Sequence, residues 1–201
     1  MPEEYFDSVT EKKALKMVRK KAVILSVFPD KLKTFKLCQE ALQNTHYTHF
    51  EPVLEYIPEK FKTEDFCLQS VRIDGCNLGG VPESLKSYEL CFEAVCKSGY
   101  AIEFVPFSLM TKEIIMAAVK KSCFAIEHIP PVFLTEDIII ETIMSAVEKD
   151  TGSIKFIPER FLTKKLCRLA VEQEPRAINY IPKQFQTAEL WKIANPAKRK
   201  I

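Results

Sequence analysis

Seven prolines, Pro29, Pro58, Pro82, Pro106, Pro130, Pro158 and Pro182, stand in near-copies of one motif, and that repetition constrains the fold more than any other feature of the chain. Their spacings are 29, 24, 24, 24, 28 and 24 residues. A unit of about two dozen residues that recurs from end to end is the signature of a repeat architecture, in which each unit buries its apolar face against its neighbours.

Aligned on the proline, the copies separate the positions that serve the unit from those that vary. An apolar residue precedes each proline (Phe28, Ile57, Val81, Val105, Ile129, Ile157, Ile181), and a large apolar one follows three residues later (Leu32, Phe61, Leu85, Leu109, Phe133, Phe161, Phe185). Two residues further on, every copy has a hydroxyl: Thr34, Thr63, Ser87, Thr111, Thr135, Thr163 and Thr187. The first turn of a helix has backbone N–H groups without intrahelical partners, and a Ser or Thr oxygen at the N-cap accepts from one of them, so these seven positions predict helix starts. Five copies follow with an acid in the first turn, where the helix dipole favours negative charge, whereas the copies at Thr34 and Thr163 carry lysine.

After each cap the apolar residues fall in pairs one turn apart, such as Leu90/Cys91 with Ala94/Val95, which predicts a helix of about three turns. Turn signals interrupt the stripe at Asp74-Gly75, Ser98-Gly99, Thr151-Gly152 and Glu174-Pro175. A shorter apolar segment follows, and the next proline ends it by disfavouring helical backbone in the residue before it. Each unit thus reads as helix, turn, short helix and proline-led loop. The stretch from Ser8 reads as a degenerate further unit, with Thr10 placed as Thr63 is and with Ser8 and Glu11 spaced as a capping box. The 28-residue interval adds four residues, about one helical turn, and predicts a longer helix. The extra residues around His46 to Phe50 suit a loop better.

The expected fold is all-α: a solenoid of about seven to eight helix-turn-helix repeats in one domain over 1–201. Residues 1–29 form a degenerate N-terminal capping unit, 30–195 the repeats, and 196–201 a basic tail. With 47% hydrophobic residues and 29 basic against 27 acidic side chains, the composition excludes a disordered chain and a bulk nucleic-acid binder. The absence of a long apolar run and of a signal-peptide pattern leads us to expect a soluble protein made in a cytoplasm. Of seven cysteines, Cys38, Cys67, Cys91 and Cys167 share one repeat position with Ile115, Ile139 and Trp191, so they read as small core residues and free thiols.

Written out as apolar-Pro-x-x-(Leu/Phe)-x-Thr-x-x-(Leu/Ile)-Cys-x-x-Ala-Val, a turn, then Ala-Ile-x-x-(Val/Ile)-Pro, the unit resembles the repeats of the domain of unknown function 4116 family. The clearest copies run from Leu90 to Pro106 and from Leu166 to Pro182. The resemblance implies a helical-repeat interaction module and a setting in proteins of intracellular bacteria or amoebae, including secreted effectors. It carries over no catalytic residue.

No phosphate loop, nucleophile elbow or paired-carboxylate motif is present, so the chain is expected to be no enzyme and to need no cofactor or metal. His46 and His49 would supply half of a metal site only with an acid or cysteine brought close; solvated loop residues, open to a partner, are the simpler reading. His128 stands in an aromatic slot with Tyr56, Phe104, Phe156 and Tyr180, where packing between units competes with a ladder lining a peptide groove. Residues 11–36 carry nine cations against Glu11 and Asp30. That basic end is either a solvated terminal cap or a docking patch for an acidic protein, an anionic membrane or nucleic acid. Lys12, Lys16, Arg19, Lys20, His46 and His49 are therefore the candidate partner-binding residues, in a protein-interaction scaffold or in an electrostatic adaptor.

Overall fold

The computed structural model describes residues 9–44, 52–149, 154–155 and 157–195, the side chains of residues 23, 147 and 149 aside. Among them there is no strand, and the α-helices are α1 (Glu11–Lys20), α2 (Phe35–Gln43), α3 (Glu64–Ile73), α4 (Tyr88–Lys97), α5 (Lys112–Lys121), α6 (Glu136–Lys149), α7 (Lys164–Gln173) and α8 (Ala188–Ala194). Seven of the eight start where a hydroxyl caps them. Thr10, Thr34, Thr63, Ser87, Thr111, Thr163 and Thr187 each accept from the N–H three residues on, at 3.2–3.4 Å. Thr135 also sits at a helix start, and its hydroxyl donates to the Asp137 carboxylate. Thr10 is the N-cap of α1; the capping box expected of Ser8 and Glu11 lies outside the described residues, because Ser8 does.

The second segment of the unit is a 3-10 helix, as in Gly75–Gly80, Gly99–Phe104 and Cys123–His128. Six residues between a turn and a proline suit this tighter winding, which proteins use in short pieces. The expected proline-led loop is ordered too. Each described repeat proline is the N-cap of a three-residue 3-10 turn, for instance Phe107–Leu109 after Pro106. In six copies a residue in the inverse γ-turn conformation follows, at Lys33, Lys62, Lys86, Met110, Leu134 and Gln186, where φ lies between −76° and −80° and ψ between 64° and 87°. The extra turn predicted for the 28-residue interval is present: α6 has 14 residues where α3, α4, α5 and α7 have 10.

The chain divides into two compact units, Met1–Met110 and Thr111–Ile201, both built from the same repeat. In the first, α1 packs on α2, α2 on α3 and α3 on α4; in the second, α5 packs on α6, α6 on α7 and α7 on α8. Within each unit, helices next to one another in sequence thus pack on one another, as a repeat stack requires. The core of the second unit runs through Ile143, Ala146, Leu166, Cys167, Val171, Ile178 and Leu190.

One glycine shows how closely the repeats approach. A Cβ on Gly75 would lie 2.2 Å from the Ala94 carbonyl oxygen of the next helix, so only glycine fits there.

Candidate functional site

Within each unit, neighbouring α-helices of the repeat form a groove of one kind. Its floor is the large residue three after the proline and the apolar residue three after the cap, such as Leu85 and Leu90 between α3 and α4, or Phe185 and Leu190 between α7 and α8. The capping hydroxyl satisfies the N–H of that second floor residue (Leu90 N to Ser87 Oγ, 3.2 Å; Leu190 N to Thr187 Oγ1, 3.2 Å), so cap and floor are fixed together. The rim comes from the first residue of the preceding helix and from the second residue of the following one.

In most grooves the rim is closed from within the chain. Glu11 and Lys36 pair across α1 and α2 at 3.6 Å, Lys112 bonds Asp137 across α5 and α6, and Lys165 bonds Glu136 across α6 and α7. The bonds from Lys112 and Thr135 hold the Asp137 carboxyl down at about 2. Between α2 and α3 the rim residue is Phe35, whose ring lies 5.7 Å from that of Phe61 and 5.4 Å from that of Phe66, filling the groove with an aromatic cluster.

The α3–α4 and α7–α8 grooves stay open. The one between α3 and α4 holds a cavity of about 180 Å³ in which Leu68, Leu85 and Leu90 are overlooked by Glu64 and Glu89. The rim pair here carries two like charges, so the bridge found in other repeats is impossible. Glu93 also lines the cavity but is taken by Arg72 at 2.7 Å, which raises the arginine's affinity for its proton. Glu64 and Glu89 have no ion-pair partner among the described residues. The groove between α7 and α8 is larger, about 380 Å³, with Lys164, Lys165 and Arg168 around Phe185, Leu190 and Ile193. Its charge is mostly spent: Lys165 pairs with Glu136, and Arg168 with Glu172 (2.7 Å) and Glu189 (2.9 Å), leaving Lys164.

Of the candidate residues read from the sequence, Lys12, Lys16 and Lys20 lie one turn apart on α1, all exposed, and no acid among the described residues pairs with them. Arg19 is engaged inside the molecule, where its Nε and a terminal nitrogen bond both Glu40 oxygens at 2.8 and 3.3 Å. This contact raises the Arg19 pKa and lowers that of Glu40. His46 and His49 lie outside the described residues. In the aromatic slot, Phe104 packs back on the preceding repeat: a Cβ on Gly79 would meet its ring at 2.9 Å, so the glycine makes room for it. Tyr180, by contrast, is exposed.

The shared cysteine position is core. Cys38, Cys67, Cys91 and Cys167 are buried, and burial pushes the thiols of Cys38, Cys91 and Cys167 up to about 11, which keeps them protonated at neutral pH. Trp191 at the same position is exposed, because α8 is the last described helix. Among the described residues no three histidines, cysteines or acids converge as a metal site, and no helix is long and apolar enough to cross a membrane.

A feature not singled out in the sequence is a set of buried lysines on the inverse γ-turns. The side chains of Lys62 and Lys86 are 6% and 7% exposed, and their ammonium groups bond Glu59 and Glu83, three residues earlier, at 2.7 and 2.5 Å. Lys86 also donates to the Phe104 carbonyl of the following repeat at 3.2 Å. The sequence does carry a signal for them: Asp30/Lys33, Glu59/Lys62 and Glu83/Lys86 change together to Phe107/Met110 and Pro131/Leu134. The lysine appears only with the acid, although the acid also stands alone at Glu159, where Leu162 follows.

The repeated capped helices, 3-10 turns and shared core define an all-α helical-repeat protein. The chain matches the family model described as Domain of unknown function (DUF4116) over residues 63–110, 87–134 and 139–186, more than half its length, and it belongs to that family. No curated protein and no solved structure matches it.

Proposed function

We propose that the chain is a non-catalytic protein-interaction scaffold whose grooves between repeats are its recognition elements. The observation that supports this is the division of labour in the repeat. Floor and cap positions stay apolar and hydroxylated, while the rim runs from ion pair to aromatic plug to uncompensated acid. A surface that varies over an unchanging core is what a repeat stack offers a partner. Following the family resemblance, we place it as made in a cytoplasm and acting as an effector or effector module in a host cell. Affinity capture from host-cell lysate with the full chain, identified by mass spectrometry, tests this reading. A partner retained by the parent and lost when rim residues are changed supports it; capture indifferent to every rim change counts against it.

A second reading rests on the Lys12, Lys16 and Lys20 stripe: an adaptor for an anionic membrane or nucleic acid. Its binding would weaken steeply with salt. Reversing Lys12 and Lys16 to Glu would abolish liposome or oligonucleotide binding at nearly unchanged melting temperature, and equal binding by that variant would overturn it.

A further inference from the structure

The groove between α3 and α4 differs from its siblings in one more respect. In two other repeats the residue after the proline by two places lays a cation on the aromatic floor: Lys60 lies 5.0 Å from the Phe61 ring centroid and Arg160 lies 4.7 Å from that of Phe161. The repeat therefore accepts a cationic side chain over this floor. In the α3–α4 groove that position is Ser84, the floor is Leu85, and no cation among the described residues lines the cavity, although its mouth holds Glu64 and Glu89. An apolar floor and the counter-charge are present and the cation is not.

We propose that this groove binds a lysine or arginine side chain of a basic segment in a partner protein, an inference that rests on the interaction-scaffold reading and specifies its partner chemistry. The aliphatic stem lies on Leu68, Leu85 and Leu90, and the charged head sits between Glu64 and Glu89, the division of labour that long cationic side chains adopt at apolar surfaces. Size agrees. A cavity of about 180 Å³ is below the range of roughly 300–1,000 Å³ typical of small-molecule sites and suits one long side chain. Charge agrees as well, because two uncompensated carboxylates repel a nucleic acid or an anionic membrane and steer a basic peptide. The larger α7–α8 groove lacks this contrast, since most of its cations already have partners.

The test uses the full chain and a short fluorescent peptide rich in lysine and arginine, with a control peptide in which glutamine replaces every cation. Anisotropy at low salt is expected to show saturable binding of the basic peptide only. Glu64→Gln with Glu89→Gln should weaken it about tenfold, the scale of two exposed charge contacts. Glu64→Lys, which recreates the bridge of the other repeats with Glu89, should weaken it at least as much, with an unchanged circular-dichroism spectrum showing that the fold survives. Lys164→Gln with Lys165→Gln should leave it unchanged. Failure of the parent to bind the peptide, or equal binding by the Glu64/Glu89 variants, overturns the site. A parent that still captures a cellular partner in a rim-dependent way would then leave the scaffold reading standing while this inference falls.

Discussion

The α3–α4 and α7–α8 grooves occupy the same place in the repeat, each with an apolar floor and a capping hydroxyl, yet one mouth is acidic and the other mainly basic. The difference lies in a few exposed positions. Between α1 and α2, α5 and α6, and α6 and α7, the first residue of one helix and the second of the next have opposite charges and bridge the groove; between α7 and α8 Arg168 takes Glu189 away from Lys164, and between α3 and α4 Glu64 and Glu89 match and cannot pair. Fold and recognition are thus written on separate residues. The comparison can be broken at the floor, at the plug, at the cap and at the bridge.

The floor should matter most, and equally in kind for both grooves. Leu90→Ala removes a buried side chain that α3 and α4 share and is expected to cost about 2–5 kcal/mol in denaturant unfolding. Leu190→Ala should fall at the low end of that range, because among the described residues α8 has packed elements on one side only, α7 and Pro175–Asn179. Costs in the reverse order would mean that the two floors are not equivalent.

The plug comes next. Phe35 is 47% exposed yet touches two rings, so Phe35→Ala should lose about 1–2 kcal/mol, part from half-burial of a large side chain and part from aromatic pairing. The same residue type can be transplanted. Glu64→Phe should fill the α3–α4 cavity against Leu85 and Leu90, leave stability equal or higher, and abolish binding of a basic peptide. A destabilised Glu64→Phe would show that the two grooves differ in shape and not only in rim.

The caps are a smaller and more uniform term. Ser87→Ala and Thr187→Ala each leave a helix-start N–H without its acceptor and should cost on the order of 1 kcal/mol. Urea melts of the two variants measure it directly. A cap without effect at Ser87 would separate cap from floor, against the bond from Leu90 N–H that joins them.

Those caps are legible in the amino-acid sequence itself. A hydroxyl two residues after the large apolar position recurs in every copy, and the hydrogen bond it makes is local, so sequence periodicity carries it. The extra turn of α6 is legible for the same reason, as four inserted residues preserve a helical face. The 3-10 winding of the short segments is not, because six apolar and small residues before a proline have no periodicity that distinguishes one tight helix from another. Nor is the open groove. Glu64 and Glu89 are 25 positions apart and look like ordinary first-turn acids; only the packing of α3 on α4 brings them to one cavity. The basic character of residues 11–36 is plain, but not that Arg19, Lys33 and Lys36 spend their charge on Glu40, Asp30 and Glu11.

The bridge is the weakest of the four terms and the one that pH reads most clearly. Asp137, bonded to Lys112 and Thr135 across the α5–α6 groove, is held at about 2 against an ordinary 3.8. A carboxyl lowered by folding contributes stability that is fully present above its unfolded value and is lost as pH falls from about 3.8 to about 2. Both partners are exposed, so the effect on unfolding should be small. The titration itself is decisive. A side-chain carboxyl NMR titration should place the Asp137 midpoint near 2, and Lys112→Met should move it upward while the Thr135 bond keeps it below the ordinary value. An Asp137 midpoint indifferent to Lys112 would mean that this groove is not clamped by its rim, and the contrast between closed and open grooves would lose its electrostatic basis.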